Sequence, residues 1–444
     1  MVLFVTILVG ACGPRPWMTP RPPLHPGNVV PSDAVVVYRA MGLLADTSRV
    51  HFVGSIRFLA GPTEDSSLAV LALSLRNNSL TFVPQAHDYY AIYHVDLVFR
   101  GDSGVTRQVS RDEGVRVSTV RETLRRDESV LFQELLTVPP GVYSVRVVVR
   151  DGNSPAVASV ELTDTVPRFA GPSLGAPIPI YEGVGRARLA AMPQFIVNPR
   201  GTLRYGTDSV RFYVEGYHWQ LGTRVVARIR TMDSVDLWRD TVALVGDTAL
   251  ASTTLVVKPG ELPLGRNALS VEALGAPARA QVPLLVTFSE RWAVADFDQM
   301  LTVLKYFNRQ DLVARLRAAP RDQRGPAWRD FRRESDPDTL TPQNEALDEY
   351  FHRLELANEQ YPEGVTPGWM TDRGEVFITL GDPDQTFDLP GTFPGLRWEY
   401  TQRHLSLVFR DQTGGLGQFH LTPDSRADFD KAVAVLRRPK SLAP

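Results

Sequence analysis

Two long stretches of the chain alternate between apolar and polar residues with a period of two. In the first, residues 67–75, 93–99 and 142–149 alternate in this way, and turn-forming Asn, Asp, Gly and Ser residues separate such runs. A period of two places successive side chains on opposite faces of a β-strand. Several short strands at this spacing are typical of antiparallel sandwiches. We therefore predict a β-sandwich domain over residues 33–166, with an immunoglobulin-like late strand that begins near Tyr143.

The second alternating stretch contains residues 210–217, 224–230, 240–245 and 251–257. Four prolines, at positions 167, 172, 177 and 179, separate it from the first stretch, and prolines at this density mark a boundary between folded segments. The pattern predicts a second antiparallel, immunoglobulin-like sandwich over residues 177–288.

The pattern becomes helical in the C-terminal third. Apolar residues recur at i, i+3, i+4 and i+7 from Phe297 to Phe307, which is the spacing of one helix face. Another helix is predicted around Trp328, one starting at Thr341 with Pro342 in its first turn, and a last one over residues 425–436. Strands are predicted at residues 375–380, 396–401, 405–409 and 417–421. Together these elements predict an α+β domain over residues 289–438, so the expected fold class is multidomain and mostly β.

The N-terminus has the pattern of an export signal. An apolar run, Val2–Val9, is followed by Gly10, Ala11 and Cys12. Small residues before a cysteine resemble the bacterial lipobox, in which the cysteine thiol is acylated. The prolines that follow favour an extended polyproline II tether. We therefore predict a signal peptide over residues 1–11, lipidation at Cys12 and a tether over residues 12–32.

Composition narrows the classes of protein that remain. The 444 residues include 48 basic and 50 acidic side chains, a formal net charge of −2, which argues against nucleic-acid binding. The hydrophobic fraction of 43% is that of a folded protein. Cys12 is the sole cysteine, so no disulfide forms within the chain. No phosphate-binding loop, zinc-ligand spacing, dinucleotide fingerprint or hydrolase elbow occurs, and we predict no metal and no cofactor.

A short motif in the C-terminal third resembles a known family. It consists of Gly368, Trp369, Thr371 and Asp372, followed by Arg373 and Gly374. Further matching segments are 344–345, 357–359, 376–384 and 398–400. The pattern is similar to the GWxTD-domain proteins, a bacterial group of uncharacterised function, over about residues 289–436. Members of that group commonly look like secreted or lipid-anchored proteins, which agrees with the interpretation of Cys12.

Four carboxylates are the weak candidates for catalysis in this region: Asp372, Asp382, Asp384 and Glu399. Paired carboxylates serve acid–base catalysis or hold a divalent cation. The structural alternative is that Asp372 accepts backbone N–H bonds in the turn before the Gly374 strand, or pairs with Arg373 or Arg353, and that Asp382 and Asp384 shape a turn. Trp369 is then a buried anchor. We favour the structural alternative and predict no catalytic residue.

These observations predict an envelope lipoprotein, held by lipidated Cys12 at the outer membrane and facing the periplasm or the cell surface. Two sandwiches would project the C-terminal domain, which would bind or assemble with a protein partner of the envelope. One alternative is an envelope hydrolase that uses the C-terminal carboxylates. Another is a component of a secretion or motility machine, which would expose a large apolar patch on that domain.

Overall fold

The computed structural model describes residues 32–437, apart from residues 47, 103, 126–129, 207–208, 259–261, 290–291, 295, 339, 341–343, 392 and 416. The predicted signal peptide, Cys12 and the tether up to residue 31 lie outside the described residues. Antiparallel sheets dominate the described part, and helices followed by a small antiparallel sheet complete its C-terminal third. The predicted fold class is therefore confirmed.

Two sheets form the first sandwich. The elements of residues 32–166 are β1 (Ser32–Asp33), α1 (Ala34–Ala40), β2 (Leu44–Asp46), β3 (Phe52–Ala60), β4 (Ser67–Leu75), β5 (Val83–Gln85), β6 (Asp88–Gly101), β7 (Gly104–Val117), α2 (Val120–Thr123), β8 (Val130–Val138), β9 (Gly141–Asp151) and β10 (Val157–Val166), of which β2 to β10 form the sandwich. The inner sheet has the order β2-β3-β4-β8, and the outer sheet has the order β10-β9-β6-β5, with β7 also on β6. The Tyr143 hydroxyl donates to the Pro139 carbonyl at 3.0 Å, as the corner tyrosine of immunoglobulin-like sandwiches does.

Two more sheets form the second sandwich. Its strands are β11 (Ser173–Leu174), β12 (Ile178–Val184), β13 (Gln194–Val197), β14 (Thr202–Arg204), β15 (Val210–Tyr217), β16 (Arg224–Thr231), β17 (Asp236–Ala243), β18 (Val245–Gly246), β19 (Leu250–Val257), β20 (Gly265–Ala273) and β21 (Arg279–Thr287). One sheet has the order β13-β12-β15-β19-β18, with β11 on β15, and the other has the order β14-β21-β20-β16-β17. All of these pairs are antiparallel except β14 with β21, which is parallel.

The two sandwiches pack directly on each other. Strand β4 is buried at all nine positions, because the inner sheet is covered on both faces. Leu71 and its neighbours on one face belong to the core of the first sandwich. Val70 on the other face packs with Ile180, Phe195 and Tyr213 of the second sandwich. The inner sheet is therefore a middle layer, and the prolines at 167–179 do not separate two independent bodies.

A buried ion pair reinforces this interface. The Arg186 guanidinium donates to both carboxylate oxygens of Glu215 at 2.9 Å and to the Ala60 carbonyl, at the end of β3, at 2.6 Å. The hydroxyls of Tyr213 and Tyr217 also donate to Glu215, at 2.7 and 2.6 Å. Both charged side chains are almost fully buried. A buried carboxylate is tolerated only when its oxygens are paired in this way.

The first described residues enter the fold between the second sandwich and the C-terminal region. Strand β1 pairs with β22 (Trp292–Ala293), with Ser32 opposite Ala293. Helix α1 follows at once, and its buried residues Val35 and Tyr38 pack with Val53 of β3 and Leu285 of β21. Residues 32–40 therefore pack against strands of both sandwiches and pair with a strand that precedes the C-terminal helices.

The C-terminal third contains the helices α3 (Phe297–Val303), α4 (Gln310–Ala318), α5 (Arg324–Ser335), α6 (Glu345–Gln360), α7 (Asp372–Leu380) and α8 (Pro423–Leu436), and the strands β23 (Gln385–Leu389), β24 (Gly395–Tyr400), β25 (Leu405–Asp411) and β26 (Phe419–Leu421). The strands form one antiparallel sheet in chain order. Aromatic side chains fill the core between the helices, where Trp328 stacks on Phe331 with ring centroids 5.1 Å apart. No helix of the described residues is long and apolar enough to cross a membrane.

One local prediction in this region is wrong. Residues 375–380 form helix α7 and not a strand, and each of residues 376–380 is buried. A short apolar run that is buried on all sides shows no hydrophobic period, so the pattern cannot distinguish a helix from a strand. The β-branched residues of the run favoured a strand, and the prediction was therefore wrong. Helix α6 begins at Glu345, and the Asn344 side chain caps it by accepting from the Leu347 N–H at 2.9 Å. The predicted start at Thr341 and Pro342 lies outside the described residues.

Candidate functional site

The motif segment (Gly368–Gly374) joins helices α6 and α7 through a tight backbone contact. A Cβ atom on Gly368 would lie 1.8 Å from the Ala357 carbonyl oxygen of α6. A Cβ atom on Gly374 would lie 1.8 Å from the carbonyl oxygen of Gly368. Real Cβ atoms do not approach so closely, so both positions require glycine for the close approach of two backbones.

Trp369 is buried between these elements. Its side chain is 1% exposed, and its backbone N–H donates to the Asn358 side chain at 3.0 Å. The Lys305 ammonium lies 4.9 Å from the centroid of the indole ring. Trp369 is therefore an anchor of the domain core, as the structural alternative predicted, and it is not exposed to a ligand.

Thr371 caps helix α7. Its hydroxyl accepts from the Gly374 N–H at 3.1 Å and donates to the Gly368 carbonyl at 2.8 Å. This residue has extended backbone dihedrals and is buried. A threonine in this position satisfies one of the free N–H groups at the helix start, so the motif threonine fixes where α7 begins.

Asp372 connects α7 to strand β26 and helix α8. One carboxylate oxygen accepts from the Leu421 backbone N–H at 2.8 Å, and the other lies 3.0 Å from the Arg426 guanidinium. Asp372 does accept a backbone N–H, but from Leu421 and not from the turn before Gly374 as predicted, and its arginine partner is neither Arg373 nor Arg353. Asp372 faces β26 and α8, about fifty residues further along the chain, and sequence spacing carries no signal for such a contact.

The two arginines named as partners of Asp372 have other carboxylates. Arg373 lies 3.0 Å from Glu363, which is buried, and its guanidinium stacks 4.5 Å from the centroid of the Phe419 ring. Arg353 pairs with Glu349, one helical turn earlier on α6, at 2.7 Å. Each motif position named in the sequence therefore has a packing contact, a cap or an ion pair.

The remaining candidate carboxylates lie at the opposite end of α7 and on the sheet. Asp384 accepts from both the backbone N–H and the hydroxyl of Thr401 at 2.6 Å, and these hydrogen bonds lower the pKa of its carboxyl group. Glu399 accepts from Ser406 and pairs with Arg397, both at 2.9 Å. Asp382 is exposed in the turn after α7.

Only part of this set is brought together. The Asp384 N–H donates to the Glu399 carbonyl at 2.8 Å, so these two residues are neighbours on adjoining chain segments. Asp372 instead contacts β26 and α8 at the start of the helix. In the described part of the chain, no three His, Cys, Asp or Glu side chains converge so as to hold a metal ion.

Sequence reasoning missed a group of charges around Glu375, the residue directly after the motif segment. Arg426 donates to Glu375 at 2.9 Å while it also pairs with Asp372. Lys305 and Arg437 lie close enough for Glu375 to act on both electrostatically. These residues come from α7, α8 and the turn after α3, and only their order around the folded helices brings them together.

Comparison with known proteins finds a known domain family in the C-terminal third of the chain. Residues 276–426 match the family model described as the GWxTD domain, which confirms the resemblance stated from the motif residues. No curated protein matches the chain.

Solved structures give only remote likenesses. They include a β-glucuronidase of Bifidobacterium dentium (11% identity, TM-score 0.19, covering 49% of this chain and 39% of that one). An α-2-macroglobulin of Escherichia coli has 11% identity and a TM-score of 0.19, covering 57% and 18%. An adhesin of Mobiluncus mulieris has 9% identity and a TM-score of 0.14, covering 50% and 79%. The chain thus matches well under two thirds of the first two proteins, and TM-scores this low carry no argument about function.

Proposed function

We propose that this chain is a lipoprotein of the bacterial cell envelope, anchored through Cys12 at the outer membrane, and that its folded part is a non-catalytic binding or assembly protein. The anchor is supported by the apolar run Val2–Val9, the small residues before Cys12 and the prolines after it. Two or more acyl chains would hold the protein stably, whereas one would hold it weakly.

The non-catalytic role rests on how the motif segment is used. Gly368 and Gly374 allow close backbone packing, Trp369 fills the core, and Thr371 caps a helix. Asp372 is engaged by a backbone N–H and by an arginine. A catalytic carboxylate needs a free face toward a substrate, and these contacts instead suit a motif that maintains the fold of the domain.

Fatty-acid labelling tests the anchor. The wild-type chain should incorporate labelled palmitate and sediment with membranes, whereas Cys12→Ser should incorporate none. Gly13→Ala, which keeps the cysteine, is the matched control and should be labelled. A wild-type chain that takes up no fatty acid would overturn the lipoprotein proposal, and the mass of the mature N-terminus would show independently whether cleavage precedes Cys12.

Cross-linking in intact envelopes tests the role. A binding or assembly protein should give the same cross-linked partner in wild type and in Asp382→Asn, a change of an exposed carboxylate that leaves the packing intact. That partner should rebind the chain when both are purified. Turnover of an envelope polymer by the purified chain, lost in Asp372→Asn at an unchanged melting temperature, would instead support the hydrolase alternative and contradict the proposal.

A further inference from the structure

A cleft opens between helices α7 and α8 beside the motif segment. Its volume is about 440 Å³, and it is lined by Glu375, Thr379, Phe429, Asp430, Val433, Ala434 and Arg437. Thr379 already donates its hydroxyl to the Glu375 backbone carbonyl at 2.8 Å, which leaves the charged side chains as the polar groups that a ligand could engage. The volume is within the range of small-molecule pockets.

One wall of the cleft is apolar. Phe429 and Val433 lie one turn apart on α8 and are almost fully buried, and Ala434 continues the same wall toward solvent. Walls of this kind favour the apolar part of a ligand, because its burial removes apolar surface from water.

The inner end of the cleft carries a cation with unmet hydrogen-bonding capacity. The Nε atom of Arg437 is buried and has no hydrogen-bond partner among the described residues. Burial lowers the pKa of Arg437, and Glu375 and Tyr350 offset part of that effect. A buried guanidinium N–H without an acceptor is costly, so an anion that reached it would gain a charge-assisted hydrogen bond.

The charged residues that line the cleft are Arg437, Glu375 and Asp430. Glu375 already accepts a hydrogen bond from Arg426, which also pairs with Asp372. Arg437 is therefore the cation of the lining, and its Nε–H has no acceptor among the described residues.

Lys305 is held mainly by aromatic rings. Its ammonium lies 4.3 Å from the centroid of the Tyr306 ring and 4.9 Å from that of Trp369. The remaining carboxylate, Asp430, is exposed at the rim, where water screens its charge. Arg437 is therefore the group of the cleft that would take up an anion.

We propose that the cleft between α7 and α8 binds a carboxylate that carries an apolar group, with the carboxylate at Arg437 and the apolar group against Phe429 and Val433. Such a ligand is found in two sources, a small apolar carboxylic acid and the C-terminal residue of a peptide that ends in an apolar side chain. The inference goes beyond the proposed function, because it holds whether or not the chain is anchored through Cys12.

Titration of the full chain in a neutral detergent with N-acetyl-leucine tests the site, with tryptophan fluorescence as the readout because Trp369 lies against Lys305. N-acetyl-leucine represents a peptide C-terminus, and hexanoate represents a simple carboxylic acid. N-acetyl-leucinamide has the same apolar group without the charge. We expect saturable binding of at least one carboxylate, and at least tenfold weaker binding of the amide.

Two variants locate the binding. Arg437→Met keeps the length of the side chain and removes its charge, and it should weaken binding at least tenfold. Arg317→Met, at an exposed position on α4, is the matched control and should leave binding unchanged. Circular dichroism and the melting temperature verify that both variants are folded.

The outcomes distinguish the two sources of the ligand from each other and from the absence of a binding site. Tighter binding of N-acetyl-leucine than of hexanoate indicates a peptide C-terminus, and the reverse order indicates a free acid. Absence of binding by the wild-type chain at millimolar concentrations of both carboxylates would overturn the proposal. So would equal binding by wild type and Arg437→Met.

Discussion

Replacement of Gly374 by alanine separates two opposite physical effects. Gly374 lies in the first turn of α7, where glycine costs about 0.5–1 kcal/mol of stability relative to alanine because of backbone entropy. Helix propensity alone therefore predicts that Gly374→Ala is stabilising. The packing of α7 on the turn at Gly368 predicts the opposite, because the new Cβ atom would lie 1.8 Å from the Gly368 carbonyl oxygen.

The size of the effect follows from that distance. An ordinary contact of 3.4 Å would require the two backbones to separate by about 1.6 Å, the difference between the two distances. Inserting a methyl group into a well-packed core costs about 1–3 kcal/mol and occasionally more. The Gly374 contact involves backbone on both sides and cannot be relieved by rotation of a side chain. We expect a net loss of about 3 kcal/mol in the free energy of unfolding of the C-terminal domain.

Denaturant unfolding with tryptophan fluorescence measures this loss, and hydrogen exchange of peptides from α6 and α7 locates it. Both readouts are needed because a chain with several domains need not unfold in two states. Gly175→Ala is the control, since its methyl group would lie 3.4 Å from the Tyr217 hydroxyl, an ordinary contact. A Gly374→Ala chain as stable as wild type, or more stable, would refute the claim that the motif glycines are required for backbone packing.

Three further changes have signs that follow from the structure. Arg186→Met should lower the free energy of unfolding by about 3–5 kcal/mol, because it leaves the buried Glu215 without its cation. Thermal melting measures this loss, and the double variant with Glu215→Leu should recover part of it. Thr371→Ala should cost about 1 kcal/mol through loss of the helix cap, whereas Thr371→Ser, which keeps the hydroxyl, should cost less; equal losses would contradict the capping role. The hydrogen bond to Asp112 raises the pKa of His94, so protonated His94 stabilises the fold at acidic pH, and this contribution is lost as pH rises through the folded pKa. The free energy of urea unfolding should therefore fall with pH across that range, and His94→Gln should remove this dependence.

Placing the motif residues in packing roles changes how variation in this domain should be interpreted. Changes at Gly368, Gly374 or Thr371 act on the stability of the helices, so loss of function in such variants would not identify an active site. A change at Arg437 alters the charged cleft without touching these three residues. The two kinds of variant can therefore distinguish maintenance of the fold from binding.

The sequence alone determined the strands, most of the helices and the motif. Alternation with period two and recurrence at i, i+3 and i+4 report which face of an element is buried, so the mostly β fold and the helices from Phe297 onward, apart from α7, were predictable. Trp369 was predictable as a buried anchor for a similar reason, since a large aromatic side chain gains most from burial.

Only the tertiary structure decided against which element each buried face packs. A pattern shows that β4 has an apolar face, but burial of both of its faces depends on a second sheet that lies more than a hundred residues away. The apolar run in α7 has no polar face, so its period could not be recognised before its neighbours were known. Asp372 pairs with Arg426 and not with Arg373, its neighbour in sequence, because helix α8 packs beside α7. Contacts between residues so far apart in the chain depend on packing and not on sequence spacing.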